Sequence, residues 1–131
     1  MASVYPFEAT DLERLLKEKQ RTRRREGPRQ PLLCAACRQP VTDAAQRTQR
    51  DGSHEHRFTN PHGITFRVGC FRQAPGAAAL DPATGQWSWF SGYRWRLTIC
   101  RSCGVHLGWD YQGEGDYFFG LILDRLVPGR E

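Results

Sequence analysis

Tyr93-Arg94-Trp95-Arg96-Leu97-Thr98-Ile99-Cys100-Arg101-Ser102-Cys103-Gly104 decides the fold. Its first seven residues alternate apolar and polar side chains, the period of a half-buried strand, with Arg94, Arg96 and Thr98 expected to point outward. The strand runs into a Cys-x-x-Cys pair followed by glycine, which lets the backbone turn back at positive φ with its amides facing the sulfurs. The same spacing occurs once more, at Cys34-Ala35-Ala36-Cys37, where Pro40 is expected to supply the turn. Thiolates bind zinc at about 2.3 Å in a tetrahedron, and two such knuckles complete four ligands. Cys34, Cys37, Cys100 and Cys103 are therefore expected to hold one structural Zn2+ with no open coordination position. A redox dithiol or a disulfide pair is the competing reading, and two matched pairs at separate strand ends favour metal.

Other strands fall out on either side. Ile64-Thr65-Phe66-Arg67-Val68-Gly69-Cys70 alternates in the same way, and Val105, Leu107, Trp109 and Tyr111 define a strand after the second knuckle. Ala74 to Gly85, with two prolines and two glycines, reads as loop, and Ser91-Gly92 as a turn after a short Trp87–Phe90 strand. Cys70 shares the parity of Phe66 and Val68, so a buried core thiol is expected. Thr10-Asp11-Leu12-Glu13 has the spacing of a capping box, and a short helix carrying Leu12, Leu15 and Leu16 on one face is expected to follow it.

The chain has 131 residues, enough for one core, and its four Trp, seven Phe and four Tyr make that core aromatic. This gives a basic N-terminal helical extension over 1–30 and a zinc-binding β domain over 31–131. No apolar run nears the roughly 20 residues needed to cross a bilayer, and the reduced-thiol reading of the five cysteines predicts a cytoplasmic protein. Of the net charge of +5, residues 1–30 carry eight basic against five acidic side chains, an interspersed pattern that suits a solvated helix surface better than a nucleic-acid site.

Trp87, Trp89, Trp95 and Trp109 cluster around the second knuckle. Core packing is the plain explanation, yet indole is seldom fully buried and its N–H needs a partner. Trp89, Trp95 and Trp109, with Tyr111 two residues on, can wall a cage for a cation or for a flat neutral ring held by backbone groups at its rim. Asp110 is the one acid nearby and takes the opposite face from Trp109, which favours the neutral ring.

Asn60-Pro61-His62-Gly63, Trp87-Ser88-Trp89-Phe90-Ser91-Gly92-Tyr93-Arg94-Trp95 and Cys100-Arg101-Ser102-Cys103-Gly104-Val105-His106-Leu107-Gly108-Trp109 resemble, in order and spacing, the thalidomide-binding (CULT) domain family of cereblon. The resemblance spans about Leu33 to Pro128. It implies a mainly β fold, the β-tent, in which two antiparallel sheets are pinned by one zinc. It also implies a three-tryptophan cage for glutarimide rings, for peptides ending in a cyclic imide and for uridine-like rings. Carried over by motif, the cage is Trp89, Trp95 and Trp109 with Tyr111 beside it, Asn60 and Pro61 lie in a closing loop, and the imide meets the backbone around Trp87 and the Trp89 amide. Trp87 departs from the family, whose animal members have histidine there. The chain also has no room for cereblon's N-terminal domain or ubiquitin-ligase adaptor helices, so it looks like the stand-alone bacterial form.

The expected function is thus a non-catalytic binding module. A methionine-sulfoxide-reductase-like enzyme, which shares the tent and the four cysteines, would need a reactive cysteine after Cys103, and the sequence has none there. A zinc-ribbon nucleic-acid binder is the third reading.

Overall fold

The alternation at Tyr93–Ile99 is realised as an inner strand of a six-stranded antiparallel sheet in the computed structural model, which describes residues 30–129. The helix expected after Thr10 and, but for Gln30, the 1–30 extension lie outside these residues. In chain order the strands are β1 Pro31–Cys34, β2 Pro40–Asp43, β3 Glu55–Thr59, β4 Thr65–Phe71, β5 Ala77–Thr84, β6 Arg94–Cys100, β7 His106–Gly113, β8 Asp116–Ile122 and β9 Leu126–Pro128. They form a small sheet, β2-β1-β9, and a large one, β3-β4-β8-β7-β6-β5, with antiparallel pairing throughout. The fold is the mainly β, two-sheet arrangement expected. No helix among the described residues is long and apolar enough to cross a membrane.

Two cores result. Leu32, Cys34 and Val41 of the small sheet and its turns pack with Phe71, Cys100, Leu107, Phe119 and Leu121 of the large one. A second cluster gathers Val68, Cys70, Phe90, Trp109, Tyr111, Phe118 and Ile122, with Phe58, Phe66, Trp89, Tyr93 and Trp95 against it. Each fully buried side chain of this size contributes about 1.5–3 kcal/mol relative to exposure.

Leu107 belongs to the first core and Trp109 to the second, although strict alternation from Val105 to Tyr111 would put them on one face. The register explains it: Thr98 pairs with Gly108 but Ile99 with His106, so β7 carries an extra residue. Gly108 permits this bulge, because a Cβ there would lie 2.1 Å from the Gly120 carbonyl oxygen.

Four further expectations need correction. Trp87–Phe90 is no strand but a turn, since Trp87 has φ 62°, which a β ladder excludes. Most of Ala74–Gly85 is strand β5; Pro82 is tolerated because β5 is an edge and its register slips between Leu80 and Thr84. Thr98 is buried and Arg96 half-buried rather than outward in water, because that face is covered by an ion-pair network: Arg96 donates to the fully buried Asp110 at 2.6 Å and to Asp81 at 3.0 Å, and the Tyr117 hydroxyl donates to Asp110 at 2.6 Å. Ile64 precedes β4 and is exposed in the turn instead of joining Phe66 inside.

Cys70 is fully buried on β4, opposite Gly120, and burial pushes its thiol up to about 11. It is therefore a protonated packing group at neutral pH. Cys70→Ala is expected to lower stability by about 1–2 kcal/mol in a denaturant titration while ligand binding persists. Loss of binding with unchanged stability would instead place this thiol in the site.

Candidate functional site

Each Cys-x-x-Cys turn sits at the end of a strand, Cys34 closing β1 and Cys100 closing β6. The two turns are built alike. The Arg38 amide donates to the Cys34 carbonyl at 2.8 Å and the Gly104 amide to that of Cys100 at 2.9 Å. The Cys34 amide donates to the Gln39 carbonyl and the Cys100 amide to that of Val105, both at 2.8 Å. Gly104 has φ 80° as its sequence foretells, and in the first knuckle Arg38, not a turn around Pro40, takes the left-handed position at φ 69°.

The folding of β1 against β9 and of β6 against β7 brings the turns together. Cys34 Sγ lies 3.7 Å from Cys103 Sγ and Cys37 Sγ 3.6 Å from Cys100 Sγ, and all four sulfurs fall within 4.8 Å of one another. Sulfurs tetrahedrally placed about 2.3 Å from a metal are about 3.8 Å apart, so the donor set and its spacing fit one zinc ion. Three histidines are engaged elsewhere: His54 Nδ1 contacts the Thr48 carbonyl at 3.1 Å, His56 Nε2 that of Arg50 at 2.9 Å and His106 Nε2 that of Gly108 at 3.0 Å.

On the second core a cavity of about 450 Å³ opens. Trp95 and Tyr111 are register partners on β6 and β7, as are Leu97 and Trp109, so all four side chains share one face. Trp89 comes over this face from the β5–β6 loop, its ring 4.9 Å from that of Trp109 and nearly perpendicular at 78°, with Phe58 stacked behind it at 4.8 Å. Trp95 Nε1–H donates to the Gln86 carbonyl at 2.8 Å and ties that loop to β6. Asn60 and Pro61 border the cavity from the β3–β4 loop. Asn60 Oδ1 accepts from the His62 and Ile64 amides, both at 2.9 Å, and so shapes its own turn. Tyr111, 1% exposed and stacked on Phe118, lies deep in the lining, and burial raises its pKa so that the phenol stays neutral. Trp87 stands at the rim, 68% exposed. Among the described residues neither the Trp87 carbonyl nor the Trp89 amide has a hydrogen-bond partner.

The seven ligand-site residues expected from the sequence thus border one cavity. Phe66, Leu97, His62 and His106 line it too and were not among the expected ligand residues. Phe66 shares the parity of Val68, and its ring meets Trp109 edge-on at 5.4 Å, so alternation could have found it. His106 has the wrong parity and is brought in by the Gly108 bulge; its ring meets that of Trp109 edge-on at 5.0 Å, and burial lowers its pKa, keeping it neutral.

No family model matches the chain. It is similar to protein cereblon of Danio rerio, at 29% identity over 76 residues, 54% of this chain and 18% of that protein. It is also similar to the Gallus gallus protein, at 30% over 76 residues, and to the Drosophila melanogaster protein, at 37% over 81 residues, covering 17% and 14% of those chains. The matched stretch is thus under a fifth of these relatives' length. The likeness over about half of the chain, with the four-cysteine cluster and the aromatic-lined cavity, supports a cereblon-related domain whose site fits a ligand-binding module without catalytic chemistry.

Proposed function

We propose that this domain binds a flat, neutral cyclic imide, such as glutarimide or the terminal ring of a cyclic-imide peptide, or a uracil-like ring, in the pocket of Trp89, Trp95 and Trp109. The observation that carries the reading is the pairing of indole walls with two unpartnered backbone groups, the Trp87 carbonyl and the Trp89 amide, beside the same cavity. A ring in the cage buries its faces on the indoles, its N–H donates to the Trp87 carbonyl, and one of its carbonyls accepts from the Trp89 N–H. A buried polar edge that no ligand or water satisfies is costly, so these groups select a ring offering donor and acceptor side by side.

Charge supports a neutral ligand. Asp110 is fully buried on the other face and held by Arg96 and Tyr117, and among the described residues no carboxylate lines the cavity to favour a cation. Cys34, Cys37, Cys100 and Cys103 hold zinc in this reading, and with four thiolates the metal braces the fold and takes no part in ligand chemistry.

Titration with glutarimide, followed by tryptophan emission and calorimetry, tests the proposal. The parent ring is expected to bind and to change the emission, and its N-methyl derivative to bind about 100-fold more weakly or not at all, because methylation removes the donor and adds bulk. Equal binding of the two compounds would refute the imide cage.

A further inference from the structure

Trp87 and Trp89 reach the cage from residues 85–93, a run of turns and bends outside the sheet ladders. A loop without ladder bonds takes its rigidity from side-chain and turn contacts, and this one is held at both ends. Trp95 Nε1–H ties its start through the Gln86 carbonyl at 2.8 Å. Its end is tied through Tyr93, whose hydroxyl donates to Asp116 Oδ2 at 2.5 Å and whose amide donates to the Phe90 carbonyl at 3.0 Å. Asp116 is the first residue of β8, and Arg50 grips it in a two-pronged pair, Nε to Oδ2 at 2.7 Å and Nη2 to Oδ1 at 2.8 Å.

Arg50 is itself fixed. Its Nη1 donates to Thr48 Oγ1 at 2.9 Å and to the Gln49 carbonyl at 2.7 Å, and its guanidinium lies over the Phe118 ring, 4.7 Å from the centroid. The side chains of the pair are 21% and 29% exposed, and a bidentate, partly shielded pair is firmer than one in open water. Arg50 and then Tyr93 hold the Asp116 carboxyl down at about 2, so it is charged at neutral pH. The β7–β8 hairpin also presses on the tyrosine, since a Cβ on Gly113 would lie 2.5 Å from its ring. From Tyr93 the contacts run inward to Phe90, which is buried and meets Tyr111 at 4.8 Å and Phe58 at 5.3 Å, both edge-on; Phe58 is the ring stacked behind Trp89. None of Arg50, Tyr93 and Asp116 lines the cavity.

We propose that Arg50 and Asp116 are positioning residues for the ligand, a clamp outside the cavity that holds Tyr93 and so keeps Trp89 where it walls the cage. The proposal rests on the caged-ring reading above and adds the residues that keep the cage formed before a ring arrives. Three segments far apart in sequence meet at one carboxylate: the turn at residues 50–53, the loop at 85–93 and the start of β8. A protein whose cage is formed only part of the time binds with an affinity reduced by that fraction. Opening the clamp frees the end of the loop, so fewer molecules hold Trp89 in place and a bound ring leaves sooner.

The test is a mutant cycle on the full chain with glutarimide as the probe and tryptophan emission as the signal, each protein measured well below its melting temperature. Asp116→Ala, Arg50→Met and Tyr93→Phe are each expected to bind glutarimide about tenfold more weakly, a competent fraction of roughly one in ten. Combining Asp116→Ala with Tyr93→Phe is expected to weaken it no further, because both cut the same bond. Hydrogen exchange without ligand is expected to quicken in the single variants at the amides of residues 86–92 and to stay as in the wild type along β1 and β9, a local change that a general loss of packing would not give. Tyr93→Phe keeps the ring and removes only the hydroxyl, so it decides alone if Asp116→Ala does not fold. Wild-type affinity in a folded single variant, unchanged exchange at 86–92, or losses that multiply in the double variant overturns the clamp and leaves the cage standing. Failure of glutarimide to bind the wild type overturns both.

Discussion

Cys37→Ser and Cys100→Ser are expected to leave the protein unfolded or insoluble, and the wild type to carry about one zinc per chain. The cluster joins positions 63 and 69 residues apart in sequence, and Cys34 and Cys100 are themselves buried members of the core between the sheets. The small sheet has three strands of four, four and three residues, too short to stand alone. Its attachment to the large sheet rests on that core and, in the proposed reading, on a zinc ion held by the four cysteines. Structural zinc contributes on the order of 10–16 kcal/mol in small zinc domains, as much as the whole stability of a typical fold. Losing one thiolate should therefore exceed what packing can offset. Metal analysis of purified protein, with melting curves before and after a strong chelator, checks this. Folded, zinc-free protein with an unchanged melting profile would contradict it.

Trp95→Ala is expected to weaken glutarimide binding by about 2–4 kcal/mol, the scale for removing a central aromatic from a desolvated pocket. Trp95 is half-buried at the cage wall, so the fold should survive; what also disappears is the Nε1–H donated to Gln86, which anchors the loop carrying Trp87 and Trp89. Trp95→Phe keeps part of the wall without that bond and should fall between. Trp109→Ala should match the affinity loss but also cost about 3–5 kcal/mol of stability, because the indole is 8% exposed and packed edge-on against Trp89, Phe66 and His106. Its binding must be measured well below its lowered melting temperature. A folded Trp95→Ala protein with full affinity would make this tryptophan a packing residue alone.

What the sequence reveals here is what depends on local chemistry. Four cysteines in two equal spacings announce their cluster because knuckle geometry is set within five residues, and β6 announces itself because one of its faces is apolar. The bulge at Gly108 was invisible: it arises from the close approach of the β8 backbone, a contact between residues twelve or more apart, and it alone turns Leu107 away from Trp109 and His106 toward the pocket. Proline and glycine made Ala74–Gly85 look like loop, whereas pairing with β6 overrides that preference at a sheet edge. Arg96 and Thr98 misled in another way. Polar residues at alternate positions normally meet water, and here a buried carboxylate, Asp110, meets the arginine instead.

The pairing of β1 with β9 has a consequence for architecture at a larger scale. Leu32 lies opposite Pro128, and the Gly129 amide donates to the Pro31 carbonyl at 2.8 Å, so the polypeptide enters and leaves at neighbouring points. None of the residues around the aromatic cavity comes from β1, β2 or β9. The unit can therefore be spliced into a host polypeptide as an insert on a two-strand stem, with cargo fused at either end and the pocket's lining left as it is.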